Sequence, residues 1–147
     1  MSTANESLVT LRIYGDDLIP DEITALLGCR PDIAYTKGDV YISKHSDQRY
    51  VRKTGRWSLR AARMEPEDVS AQITEILARL PQNLDIWRQL GEKYVLDFFC
   101  GVFMGSTNDE LYLPLATVKL LSERGIELQF DIYALSTEDA DAPAHDR

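Results

Sequence analysis

Residues 94–104 are almost wholly apolar, and a single charge, Asp97, interrupts them. The run is too short for a membrane span, which needs roughly 18 apolar residues. It reads as a central strand covered on most of both faces, so the rest of the chain has to supply layers around it. An unpaired carboxylate in such a strand is costly, and Asp97 is expected to reach either water or Arg12. A chain of 147 residues with 44% apolar and 27% charged side chains is long and apolar enough for one core of this kind.

Two further segments alternate with the period of a half-buried strand. Residues 9–14 place Thr10, Arg12 and Tyr14 on one side, and residues 126–134 place Glu127, Gln129, Asp131 and Tyr133 opposite Ile126, Leu128, Phe130, Ile132 and Ala134. Helices are expected between these strands. One opens at Pro20-Asp21-Glu22 and closes at Gly28, with Ile23, Leu26 and Leu27 inward. A second starts at Glu65-Pro66 and carries Val69, Ile73, Ile76, Leu77 and Leu80 until Pro81. A third is capped by Asn83 and turns Leu84, Trp87 and Leu90 inward. The last runs from Pro114 to Gly125 with Leu115, Val118 and Leu121 as its stripe and Leu120 beside it. Brief strands are expected near 33–36 and 39–43, and two strand-like runs flank Thr54-Gly55 within 49–60 as a surface hairpin with Trp57 buried.

The elements make an α+β domain: an antiparallel sheet with helices packed on one face. Strand, polar loop, proline-opened helix, Leu-Leu and glycine occur at 9–28 and again at 96–125, which suggests two β-α-β-like halves, a ferredoxin-like duplication. Residues 1–7 are expected to be a disordered N-terminus, 8–135 the single domain, and 136–147 an acidic disordered tail.

Several chemistries find no support. Cys29 and Cys100 lie far apart in largely apolar sequence and are expected to be reduced thiols, while His45 and His145 are isolated, so no zinc set forms. Gly101-Val102-Phe103-Met104-Gly105-Ser106 lacks the Lys-Ser/Thr of a phosphate loop, and Gly101 suggests a bulge or close strand packing. No serine lies in G-x-S-x-G. Asp16 and Asp17 after a strand could hold a cation, but adjacent acids are equally common in turns, and no third ligand is visible. No cofactor, no metal and no catalytic residue is assigned. Residues 1–6 carry no basic segment ahead of an apolar run, so a cytoplasmic address without membrane association is expected.

The net charge of −8 argues against nucleic acid as a partner. The charge is uneven: residues 30–63 hold nine Lys/Arg against three Asp/Glu, and the remainder seven against twenty-one. This is either an interaction stripe or a solvated basic hairpin beside acidic helices.

The pieces Arg12-Ile13-Tyr14-Gly15-Asp16-Asp17-Leu18, Pro20-Asp21-Glu22-Ile23-Thr24, Leu26-Leu27-Gly28, Pro31, Lys37-Gly38-Asp39, the run around Trp57 and the closing Asp131-Ile132-Tyr133 follow one another in order. In this they resemble the bacterial family catalogued as "domain of unknown function 4279", over roughly residues 8–135. Ile19 stands where the family tends to have a capping acid, and Thr36 where an aromatic residue often precedes the Lys-Gly pair. The resemblance implies a fold type and a bacterial source but no reaction, and it points to Lys37, Gly38, Asp39 and Trp57.

The sequence therefore suggests a non-enzymatic interaction module. One form is an immunity protein that binds a toxin; self-association is another route to a protein partner. The alternatives are a small-molecule-binding domain on the open sheet face and a hydrolase with a cryptic carboxylate site. The candidate binding residues are Arg12, Tyr14, Lys37, Asp39, Trp57, Asp97, Asp131 and Tyr133.

Overall fold

A computed structural model describes residues 2–135. The segment 136–147, expected to be an acidic tail, lies outside them. The principal strands are β2 (Glu6–Gly15), β3 (Ile33–Tyr35), β6 (Gly55–Arg60), β7 (Val95–Phe103) and β9 (Glu127–Tyr133), joined in one sheet in the order β3-β6-β2-β7-β9. Every pairing is antiparallel except β7 with β9. Four helices complete the domain: α1 (Pro20–Leu27), α2 (Val69–Ala78), α3 (Leu84–Lys93) and α4 (Leu115–Arg124).

Because β6 runs against both β2 and β3, the units β2-α1-β3 and β6-α2-α3-β7 each skip one strand and interleave, the arrangement of a ferredoxin-like core. The second half thus begins at residue 55, not at residue 96 as the sequence repeat suggests. The unit α4-β9 is an addition that lays a parallel strand on the β7 edge.

Side-chain alternation sends Val9, Leu11 and Ile13 of β2, Trp57 and Leu59 of β6, and Leu96, Phe98 and Cys100 of β7 into one core with Ile23, Ile73, Ile76, Trp87 and Leu90 of the helices. The α1 helix begins with Pro20 and ends at Gly28, whose φ of 65° only glycine adopts without strain. In α2 the cap is Asp68, which accepts from the Ala71 N–H, so the helix starts later than Glu65-Pro66. Asn83 caps α3 as expected, although Leu84 is exposed.

The α4 helix departs furthest from its expected stripe. Leu115 and Val118 are exposed, and the buried side is Thr117, Leu121 and Arg124. These polar groups find partners inside: the Thr117 and Ser70 hydroxyls lie 2.7 Å apart, and Arg124 donates from its two Nη atoms to Leu120 O and Gln82 Oε1, while its Nε has no acceptor.

Residues 2–7 are tied down rather than frayed. β1 (Ser2–Thr3) pairs with β8 (Asp109–Glu110), Ala4 is buried, and Ser7 binds Gln72 of α2 at 2.6 Å. The expected hairpin across 49–60 does not form. β5 (Arg49–Val51) pairs with β4 (Val40–Ile42), while β6 pairs with β2 and β3. The β4–β5 ribbon is an arm continuing the β3–β6 pair, and Val40, Ile42 and Val51 stand exposed on it. Nor is there a bulge at Gly101, since the β2–β7 register runs unbroken from Glu6↔Phe103 to Tyr14↔Val95. No helix among the described residues is long and apolar enough to cross a membrane.

Candidate functional site

With the helices on one side, the opposite face of the sheet is left open. The register assembles it row by row. Tyr35, Arg56, Tyr14 and Val95 form one row, and Ile33, Ser58, Arg12, Asp97 and Glu127 the next. Beyond them come Arg60, Thr10, Phe99 and Gln129, then Leu8, Gly101 and Asp131, then Glu6, Phe103 and Tyr133.

The charged centre of this face is self-contained. Arg12 donates from Nε to Asp97 Oδ1 at 2.8 Å and from Nη2 to Asp97 Oδ2 at 2.6 Å. Tyr14 Oη donates to the same Oδ2 at 3.3 Å, and Arg12 also reaches Gln129 Oε1. The guanidinium carbon lies 4.6 Å from the centre of the Phe99 ring, a cation–π contact. Donation to the Asp97 carboxylate holds the Arg12 pKa above its ordinary value, while burial, reinforced by the charge of Asp97, raises that of Tyr14. At the β9 edge Tyr133 donates to Asp131 at 2.6 Å, which raises the phenol pKa, and its ring stacks on Phe103 with centroids 4.6 Å apart.

Beside this centre the face is hollow. A cavity of about 340 Å³ lies over Leu8, Thr10, Phe99 and Gly101, with Arg56 and Arg60 of β6 on one side and Phe103 and Tyr133 on the other. The hollow exists because Gly101 has no side chain between Phe99 and Phe103. Among the described residues neither the Arg56 nor the Arg60 guanidinium has an acidic partner, and Arg56 Nε is buried without an acceptor. A smaller and mostly apolar hollow of about 220 Å³ opens between Ala4, Val102, Met104, Leu111, Phe130 and Ile132, with Asp109 and Glu110 also lining it. It offers few polar groups to orient a ligand.

Of the eight candidate residues, five share the open face: Arg12, Tyr14, Asp97, Asp131 and Tyr133. The other three do not. Trp57 is fully buried on the helix side, where Nε1 donates to Thr24 Oγ1 at 3.0 Å. Lys37 pairs with Asp16 at 3.1 Å, and Asp39 accepts from the Thr36 N–H to close a turn at the base of the arm. Among the described residues, Lys37 and Trp57, both singled out by the family resemblance, therefore do not meet in one site. Asp16, held below its ordinary pKa by the hydrogen bond from Lys37, is a turn residue with a partner, and no group of three or more His, Cys, Asp or Glu side chains that could hold a metal occurs among the described residues.

Sequence reasoning missed Arg56, Arg60, Leu8 and Gly101 as parts of the site. The signal was there for the arginines, since Arg56, Ser58 and Arg60 alternate with the apolar Trp57 and Leu59. Read as one basic run, 49–60 hid that only its second half belongs to the main sheet.

No curated protein and no solved structure matches the chain. The family model described as "Domain of unknown function (DUF4279)" matches residues 3–135, which is nearly all of the folded unit just described, and the chain belongs to that family.

Proposed function

We propose that the protein is a non-enzymatic binding module and that its ligand sits on the helix-free face of the sheet. The observation that carries this reading is the cavity of about 340 Å³ over Leu8, Phe99 and Gly101. Its size falls at the lower end of small-ligand pockets, roughly 300–1,000 Å³, and it combines an apolar floor with a few polar groups at the rim. The members of the Arg12–Asp97–Tyr14 cluster beside it are hydrogen-bonded to one another, which stiffens the floor and leaves the rim arginines to meet the ligand. A small molecule suits this hollow better than a basic toxin does, because the charged side chains that line it, Arg56 and Arg60, are positive.

A crystallographic fragment screen tests the proposal. Bound fragments are expected to cluster against Leu8, Thr10, Phe99 and Gly101. Fragments confined to the apolar hollow beside Phe130, or to the exposed arm, would overturn it.

A further inference from the structure

Arg56 and Arg60 leave β6 on the same face, about 13 Å apart along the strand at 3.3 Å per residue, yet both line one cavity. Ser58 between them is spent, since its hydroxyl donates to Ile33 O. Exposed arginines without acid partners are common, but Arg56 is half-buried and its Nε–H is shut away from water with no acceptor. Such orphans are rare in folded chains, and among the described residues Arg124 Nε, away from this face on α4, is the other one. Of the acids on the face, Asp97 already accepts three hydrogen bonds from Arg12 and Tyr14, and Glu127 stands on β9, three strands away from β6. Asp131, at the far edge, takes the Tyr133 hydroxyl. The side chains β6 lends to the cavity are therefore both cationic, with Asp32 held at the Arg60 backbone N–H, in a chain whose net charge is −8. That background repels long polyanions and leaves a small anion as the species that gains from the site. The floor of Leu8, Phe99 and Gly101 is apolar and calls for an apolar body beneath the anionic head.

We infer that this cavity is a site for a small amphipathic anion, with a carboxylate or phosphate head held by Arg56 and Arg60 and an apolar body lying over Phe99 and Gly101. The inference rests on the open face being the binding surface. Guanidinium groups match both heads, in bidentate geometry.

The test is a titration of ¹⁵N-labelled protein with 4-phenylbutyrate, phenyl phosphate and the neutral 4-phenylbutan-1-ol, followed by amide shifts into the millimolar range. At least one anion is expected to shift Leu8, Thr10, Arg56 and Gly101 and to bind about tenfold or more tightly than the alcohol. The tighter of the two anions identifies the head group. Arg56→Gln and Arg60→Gln should each weaken that anion about tenfold and leave the alcohol unchanged. Gly101→Leu should block all three probes; a Cβ at Gly101 would meet its nearest neighbours at 3.8 Å, an ordinary contact, so the fold has room for it.

If all three probes bind at Gly101 with equal affinity, or the arginine variants bind like wild type, the anionic class is wrong while the open face remains the binding surface. If the shifts gather elsewhere and Gly101→Leu changes nothing, both readings fall. An absence of saturable shifts with either anion overturns the amphipathic-anion site and leaves the open face to be judged by the fragment screen.

Discussion

Arg12 and Asp97 face each other across β2 and β7, and their burial is unequal: the carboxylate side chain is 4% exposed and the guanidinium 20%. The pair is thus anchored on its acidic member. Removing one partner of a buried pair leaves the other charge uncompensated, and the cost depends on which charge is stranded.

Arg12→Met strands the buried carboxylate and should cost about 3 kcal/mol. Asp97→Asn leaves an arginine that already touches water and stacks on Phe99, and should cost about 1 kcal/mol. The double variant Arg12→Met/Asp97→Leu should recover part of the loss of Arg12→Met. Urea unfolding of the three variants checks the order; a larger loss for Asp97→Asn than for Arg12→Met contradicts it.

How much of this was legible in the sequence follows from where each signal is local. Alternation along residues 9–14 and 126–134 correctly assigns Arg12, Tyr14, Asp131 and Tyr133 to one face, because a strand's period depends on nothing beyond the strand. Asp97 finds Arg12 because a lone charge in an apolar strand has few ways to be satisfied. Pairing is not local. The runs at 49–51 and 55–60 look alike in sequence, yet one belongs to the arm and the other to the main sheet. Helix faces fail for a related reason: Leu115 and Val118 lost to Thr117 and Arg124 because Ser70 and Gln82, remote in sequence, supply the partners.

Gly55 and Gly15 oppose each other at the end of the β2–β6 ladder. A Cβ on Gly55 would lie 3.0 Å from Gly15 O and 3.0 Å from Leu18 Cβ, with backbone on one side and a buried side chain on the other. Neither neighbour can give way cheaply. Gly55→Ala is therefore expected to cost about 1–3 kcal/mol, the usual penalty of overpacking. Thermal unfolding measures it, and an unchanged midpoint would show that the ladder end shifts freely.

The arm should open independently of the domain. Its strands are three residues each, and Val40, Ile42 and Val51 stay exposed. A two-stranded ribbon is marginal alone, and here the stacking of Tyr41 on Tyr50 and of Arg52 between Tyr35 and Tyr41 supports one side only. In native-state hydrogen exchange, amides of 40–42 and 49–51 should exchange well before those of β2 and β7. Equal protection would mean that the arm unfolds only with the core.

Cys100 gives the domain a measurable alkaline limit. The thiol is fully buried on the helix side of β7, and burial, reinforced by the charge of Asp97, pushes its pKa from 9.0 up to about 12. Below pH 9 the thiol is protonated whether the chain is folded or not, so it adds no pH dependence. Above that, the unfolded chain releases the proton while the folded one keeps it. Stability should therefore fall between pH 9 and about 12, with a slope approaching about 1.4 kcal/mol per pH unit. Other groups also titrate in this range, so the decisive quantity is a difference: Cys100→Ala loses some packing at every pH but should lack this part of the slope. In the same experiment at pH 8, a disulfide reagent should modify the partly exposed Cys29 in the folded protein and reach Cys100 only on unfolding. Parallel stability curves for wild type and Cys100→Ala, or rapid labelling of both cysteines in the folded state, would show that the core around β7 admits water.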